Sequence, residues 1–315
     1  MKKELTVTAL GGGTGLAQLL RGLKAHTRHL NGIVAVTDDG GSSGALRREI
    51  GVLPPGDIRN CLVALSEEEN LMSRLFQYRF PAAGTLAGHS FGNLFITAMS
   101  AITGSFDKGI SSSSQVLAVR GKVLPVTLYS VSLEAHMVNG EIVRGETNIS
   151  RSEQRVKRLT MYPRIPPAAP EVVETILNSD VIVLGPGSLY TSVIATMLVR
   201  GVSEALKKTK APIIYVANVM TQPNETRGYT LFDHLNALYT HFSGLSIDYC
   251  VVNAGKIPAR IAARYAREGS FPVIIDRKKI TQTTMVSADV VSKKAYAHHD
   301  PHKLAQCILD IAVRH

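Results

Sequence analysis

The sequence predicts an α/β protein: a Rossmann-like, mostly parallel sheet with helices on both faces and an antiparallel excursion near residues 123–146. Three observations predict it. Short apolar runs rich in β-branched residues end in glycine-rich loops, and leucines at helical spacing follow. This strand–loop–helix junction recurs at residues 11–15, 38–44 and 185–192. Between the second and third junctions the pattern alternates with a period of two, and Asn139-Gly140 supplies a type I′ hairpin signal.

In chain order, Leu5-Thr6-Val7-Thr8-Ala9-Leu10 reads as the first strand and ends in Gly11-Gly12-Gly13-Thr14-Gly15. Leu16, Leu19, Leu20 and Leu23 then open a helix at that loop, which aims its N-terminus at whatever Gly12, Gly13, Thr14 and Gly15 hold. The dinucleotide fingerprint is not matched, because Leu16 stands where its third glycine belongs, and no Gly-Lys-Ser/Thr follows for a Walker A loop. Ile33-Val34-Ala35-Val36 is a second buried strand, followed by Thr37-Asp38-Asp39-Gly40-Gly41-Ser42-Ser43-Gly44. Its glycines let backbone N–H groups converge, and its serines add hydroxyl donors. Carboxylates beside anion donors suit a ligand that carries phosphate with sugar hydroxyls, or phosphate with Mg²⁺.

Asp57 is placed to cap the helix that follows Pro54-Pro55-Gly56, or to meet the ligand, and Arg59 and Asn60 in its first turn face a phosphate in the second case. A helix is expected over 71–80. Gly88-His89-Ser90-Phe91-Gly92-Asn93 opens another over 94–103, with His89 as a candidate acid–base or hydrogen-bonding group. Ser111–Ser114 reads as a helix start. Residues 123–128, 132–138 and 141–146 read as short strands of the excursion, residues 150–159 as the densest basic patch, and Tyr162–Pro170 as a rigid connector.

The parallel pattern resumes with a strand over 180–184, then Gly185-Pro186-Gly187-Ser188-Leu189-Tyr190-Thr191-Ser192 and a helix. Strands follow at 212–216, 249–253, 273–275 and 284–286, with helices at 231–242, 260–267 and 303–313. Asn218, at a strand end, is a candidate reader of a base or sugar edge, and Tyr265, between Arg264 and Arg267, a candidate to stack on a base. The three glycine-rich loops are expected to meet on one edge of the sheet, since carboxyl ends of neighbouring strands are where such sheets bind ligands.

A net charge of +10 favours acidic partners such as nucleotides, while 6% aromatic content, no Trp and no long Lys/Arg run argue against single-strand nucleic-acid binding. Three scattered cysteines fit a reducing compartment and give neither a disulfide framework nor a zinc site. The run 5–10 is too short for a signal core, and no apolar run approaches the roughly 20 residues of a membrane span. A cytoplasmic protein is expected, with no membrane partner and with self-association left open.

The runs Gly11-Gly12-Gly13-Thr14-Gly15-Leu16, Asp38-Asp39-Gly40-Gly41-Ser42-Ser43-Gly44, Pro54-Pro55-Gly56-Asp57-Ile58-Arg59-Asn60, Gly88-His89-Ser90, Gly92-Asn93-Leu94, Gly185 through Ser192, and Asn218-Val219-Met220-Thr221-Gln222-Pro223 resemble the bacterial gluconeogenesis factor family. That family is similar in fold to the 2-phospho-L-lactate transferases of deazaflavin cofactor synthesis. The resemblance spans nearly the whole chain and implies one domain over 1–315. It implies a ligand site that includes Asn93 with the loop residues above. The implied ligand is a UDP-sugar or an NAD-like dinucleotide, and the implied role is cell-shape maintenance and growth on gluconeogenic carbon sources. Two functions from different classes fit: a nucleotide-sugar-binding regulator without turnover, or a transferase of a phosphoryl-linked group with Mg²⁺ held by Asp38, Asp39 or Asp57.

Overall fold

Val7–Gly11 (β1), Gly13–Leu23 (α1) and Leu30–Val34 (β2) form the first βαβ unit of the computed structural model. The structure describes residues 4–67, 71–81, 83–292 and 296–314, so the basic start Met1-Lys2-Lys3 lies outside it. Helices α2 (Gly41–Ile50), α3 (Gly56–Leu65), α4 (Leu71–Gln77), α5 (Phe91–Thr103) and α6 (Phe106–Val116) precede the edge strand β3 (Lys122–Pro125). The chain then leaves the sheet through β4 (Ser132–Met137), β5 (Ile142–Arg144), the turn α7 (Glu146–Ile149) and β6 (Val156–Tyr162). It returns by α8 (Val172–Leu177) to β7 (Val181–Leu184). A π-helical turn (Leu189–Ile194), α9 (Ala195–Met197) and α10 (Val202–Lys208) lead to β8 (Ile213–Val216). The remaining elements are α11 (Leu231–His241), β9 (Tyr249–Asn253), α12 (Ala259–Arg267), β10 (Thr284–Ala288) and α13 (Pro301–Arg314).

The seven strands order as β10-β9-β8-β7-β1-β2-β3, and every neighbouring pair is parallel. Alternation along each strand feeds two apolar layers, one on each face. Val7 and Ala9 of β1, Val181 and Val183 of β7 and Ile214 of β8 pack with α1, α3 and α13. Leu10, Ile182, Leu184, Ile213 and Tyr215 pack on the other face with the π turn, α8, α10, α11 and the buried side of the small sheet. Parallel strands buried on both faces read as continuous apolar runs, which is why the sequence shows them so plainly. Local chemistry sets several ends. The hydroxyl of Ser90 accepts from the N–H of Asn93 at 3.2 Å to start α5, and Thr230 and Asp233 cap each other's backbone at the start of α11.

Five expectations need correction. Residues 122–125 pair in parallel with β2, so this strand belongs to the main sheet. The excursion proper is a separate three-stranded antiparallel sheet in the order β5-β4-β6. Its third strand comes from the basic stretch and the connector after it. Lys157 and Arg158 both face solvent at a register shift while Val156, Leu159 and Met161 enter the core, so basic composition and a broken alternation hid the strand. The Asn139-Gly140 turn is not type I′, which requires positive φ at both central residues; only Gly140 adopts it, at 91°. Met137 donates its N–H to the Glu141 carbonyl across a three-residue loop, and the Asn139 side chain accepts from the Glu141 N–H at 3.1 Å. Residues 273–275 make only the isolated bridge Thr230↔Ile274, and Ser111–Ser114 lie within α6 rather than at its start.

Candidate functional site

The strand order reverses between β1 and β7, and the loops after these two strands touch. A Cβ on Gly15 would come within 2.5 Å of the Pro186 carbonyl oxygen, and one on Gly12 within 2.7 Å of the Asp57 carboxylate and 3.3 Å of the Ser192 hydroxyl. Glycine is needed at both positions because backbone and a carboxylate fill the space a side chain would take. The glycines leave the N-terminus of α1 open, with the unshared N–H groups of its first turn at the switch point of the sheet, where doubly wound proteins bind ligands. The loops that follow β1, β2 and β7 all leave the same edge, because the three strands run in parallel.

A cleft of about 490 Å³ opens there. Gly12, Gly13, Thr14, Gly15, Gly187 and Ser188 line it, together with Asn218 and Tyr265. Asn218 carries a buried side-chain oxygen with no hydrogen-bond partner among the described residues. The phenol of Tyr265 bonds the backbone of Ala297, and burial raises its pKa above the ordinary value. Gln222 donates through Nε2 to the Ser188 hydroxyl at 2.8 Å, which fixes that wall. A smaller cavity of about 290 Å³ adjoins at Asn218 and Val219, and its lining is mostly apolar, including Leu231, Val252 and Ile275.

The second glycine loop builds a different environment beside the cleft. The Asp57 carboxylate accepts from the Gly13 N–H at 2.6 Å and so joins the two. Burial raises Asp57 from its ordinary 3.8 to about 6; the Gly13 N–H opposes this, and the charge on Asp38 adds to it. Glu146, which accepts from Thr37 at 3.0 Å, is pushed well up by burial and then by Asp38 and Asp57. Asp38 accepts from the Gly40 N–H at 2.9 Å. Asp39 accepts from the Thr147 N–H at 2.9 Å and from its hydroxyl at 2.5 Å, tying the small sheet to the loop.

Behind these carboxylates the Ser42 hydroxyl meets Nδ1 of His89 and Nδ2 of Asn93, each at 3.1 Å. Ser43 accepts from the Gly56 N–H at 3.1 Å. Arg59 spans Asn93 Oδ1 at 3.1 Å and Asn60 Oδ1 at 2.8 Å and also donates to Ser90. His89, Ser42, Ser43, Asn93 and Arg59 are all buried, so this network holds the loop in place rather than lining the cleft.

The structure therefore divides the residues expected at one site. Gly12–Gly15, Gly187, Ser188, Asn218 and Tyr265 share the cleft. Asp38, Asp39, Asp57, Asn60, His89 and Asn93 form the neighbouring acidic and polar group, with Gly40 and Gly41 at the start of α2. Gly185 sits in the turn against Gly11 at φ 81°. Two side chains point elsewhere. Tyr190 is buried in the core, where its hydroxyl reaches Tyr229 at 2.9 Å and the Val156 carbonyl at 3.2 Å. Thr191 donates to Glu225 at 2.8 Å.

The sequence reading missed Glu146, Glu225, His298 and His299. The two glutamates lie far along the chain, and although Gly145 precedes Glu146 neither sits in a glycine-rich loop; the His298-His299 pair before Pro301 was the one visible signal. Among the described residues no three His, Cys, Asp or Glu side chains assemble as a metal site. The residues that would hold Mg²⁺ are among Asp38, Asp39 and Asp57, with the charge of Asp38 already acting on Asp57; such a cation would supply charge neutralisation at ligand phosphates.

The fold and the site together define a doubly wound α/β protein with a cleft at the switch point of the sheet, where such folds bind ligands. Residues 7–292 match the family described as 2-phospho-L-lactate transferase CofD, and the chain belongs to that family. It is 45% identical to the gluconeogenesis factor of Halalkalibacterium halodurans, over 98% of this chain and 97% of that protein. It is 44% identical to the gluconeogenesis factor of Bacillus subtilis, over 99% of each. The crystal structure of a UPF0052 family member from Bacillus halodurans superposes with a TM-score of 0.94 at 46% identity, covering 98% of this chain and 99% of that one. The chain is thus a homologue of the gluconeogenesis factors and shares their α/β fold.

Proposed function

We propose that this protein binds a UDP-sugar or an NAD-like dinucleotide in the cleft and acts as a cytoplasmic regulator of cell shape and of growth on gluconeogenic carbon sources. One observation carries the ligand class: a glycine-bounded helix N-terminus and a half-buried tyrosine line the same cleft. The first suits a diphosphate and the second a base. The names of the relatives, the gluconeogenesis factors, support the link to growth on gluconeogenic carbon sources. A second reading, transfer of a phosphoryl-linked group, draws support from the family match and from the raised carboxyl of Asp57 beside the cleft.

Titration calorimetry with UDP-N-acetylglucosamine and with NAD tests the ligand class. Tyr265→Ala is expected to weaken binding by about 1–3 kcal/mol, the range for base–aromatic stacks. Unchanged affinity removes Tyr265 from the ligand contacts. Failure of the wild type to bind either nucleotide overturns the reading as a whole.

A further inference from the structure

His299 has no part in the contacts described so far, yet it lines the same cleft as Gly12–Gly15 and Tyr265. It sits just before α13, in a segment that pairs back on Val291, and its side chain is only 8% exposed. Its ring hydrogen-bonds the backbone of Ala217 at the end of β8. The Ala217 N–H already donates to the Val251 carbonyl, so the ring meets the Ala217 carbonyl and must itself be the donor. Nε2 has no partner among the described residues, which leaves Nδ1 as the donating nitrogen. A neutral imidazole carries one proton, and with that proton on Nδ1 its Nε2 is a pure acceptor. Burial holds the pKa down to about 4, so no second proton arrives near neutral pH.

The acceptor is not alone. Oδ1 of Asn218 and Oε1 of Gln222 are also buried without partners, and both residues line the cleft. The Gln222 amide is oriented by its bond to Ser188, which leaves the oxygen as the unpaired end. Buried polar atoms are nearly always paired, so several unpaired acceptors on one cleft mark a place where a ligand supplies donors. A phosphate, which offers only acceptors near neutral pH, does not satisfy them.

We infer that His299 reads the bound nucleotide, its Nε2 accepting a hydrogen bond from an N–H or O–H of the base or sugar, so that this part of the cleft takes a neutral donor-bearing edge and not a phosphate. The assignment rests on the nucleotide reading above.

Two substitutions separate this role from a structural one. An asparagine amide at 299 reaches the position of Nδ1 and keeps the Ala217 bond, but offers nothing at Nε2. A glutamine amide reaches Nε2. Calorimetric titration with UDP-N-acetylglucosamine should show His299→Asn about tenfold weaker and His299→Gln within about threefold of wild type. Asparagine binding like wild type, or glutamine as weak as asparagine, overturns the assignment. Histidine-selective ¹⁵N labelling of the wild-type protein gives a readout that needs no variant. The Nε2 resonance should start at the position of an unpaired acceptor nitrogen and move toward the hydrogen-bonded position as the UDP-sugar is added. Saturable binding without that movement overturns the role of His299 alone. No binding of UDP-N-acetylglucosamine or NAD to the wild type overturns the nucleotide reading and this assignment with it.

Discussion

Asp57 shows the trade between stability and site chemistry at the level of one side chain. Its carboxylate completes the first turn of α1 through the Gly13 N–H, yet burial and the nearby charge of Asp38 raise its pKa to about 6 from 3.8. The folded state therefore holds this proton more tightly than the unfolded chain does. Its contribution to stability is complete below the unfolded value and is lost as pH rises through the folded one. One pH unit of difference is worth about 1.4 kcal/mol, so ionising Asp57 inside the fold costs up to about 3 kcal/mol. Glu146, raised by burial and by the charges of Asp38 and Asp57, contributes with the same sign. Asp57→Asn keeps an acceptor for the Gly13 N–H and carries no charge. Relative to wild type, the variant should gain stability between pH 4 and pH 7, by up to about 3 kcal/mol. Urea unfolding at the two pH values measures this, and a difference that does not change with pH refutes it.

At the scale of elements, the site depends on how closely two loops approach. A methyl group at Gly15 would strike the carbonyl of Pro186, which is backbone and cannot rotate aside. Gly15→Ala is expected to cost about 1–3 kcal/mol of stability, as overpacking does, and to weaken nucleotide binding by displacing α1 from the loop after β7. Thermal melts and calorimetry on the same sample check both effects. The π turn after that loop has a comparable dependence on Glu225, a fully enclosed carboxylate that accepts from the Tyr190 and Thr191 N–H groups and from the Thr191 hydroxyl. Glu225→Ala orphans these donors in a dry interior and should cost about 3 kcal/mol, while Glu225→Gln, which retains an acceptor, should cost less. Equal losses in urea melts would show that packing, not the hydrogen bonds, sets the cost. These elements also show what a sequence can tell. β9 spans the expected Tyr249–Asn253, because Cys250, Val251 and Val252 are buried on both faces and leave no ambiguity of period. β6 was hidden, since a register shift turns the neighbours Lys157 and Arg158 both outward and made the strand look like a basic surface patch. The loops at 12–15 and 187–188 were legible because close backbone approach demands glycine. Glu146 and Glu225 were not, because a carboxylate's role depends on long-range contacts that local composition does not encode.

For the whole molecule, the cleft lies toward β7 and β8, while the carboxylates of the second loop face the small sheet, and Asp57 bridges the two regions. This division bears on the choice between regulator and transferase. Asp39 spends its Oδ1 on Thr147, where it anchors the small sheet, and Asp38 spends one oxygen on its own loop. A magnesium ion held between these carboxylates and ligand phosphates would make nucleotide affinity depend strongly on the metal, since that cation binds through one or two carboxylates plus phosphates. Carboxylates that only hold loops or accept from sugar hydroxyls would leave affinity indifferent to it. Aspartate to asparagine acts differently in the two cases, because an amide keeps an acceptor oxygen and loses the charge a hard cation requires. The expected result is weak Mg²⁺ dependence, with Asp38→Asn and Asp39→Asn folded and only modestly weaker in binding. Titration of the wild type with UDP-N-acetylglucosamine, with and without EDTA, decides the matter. A drop of tenfold or more on chelation, about 1.4 kcal/mol, would place a metal between the acidic group and the cleft and favour the transferase over the regulator.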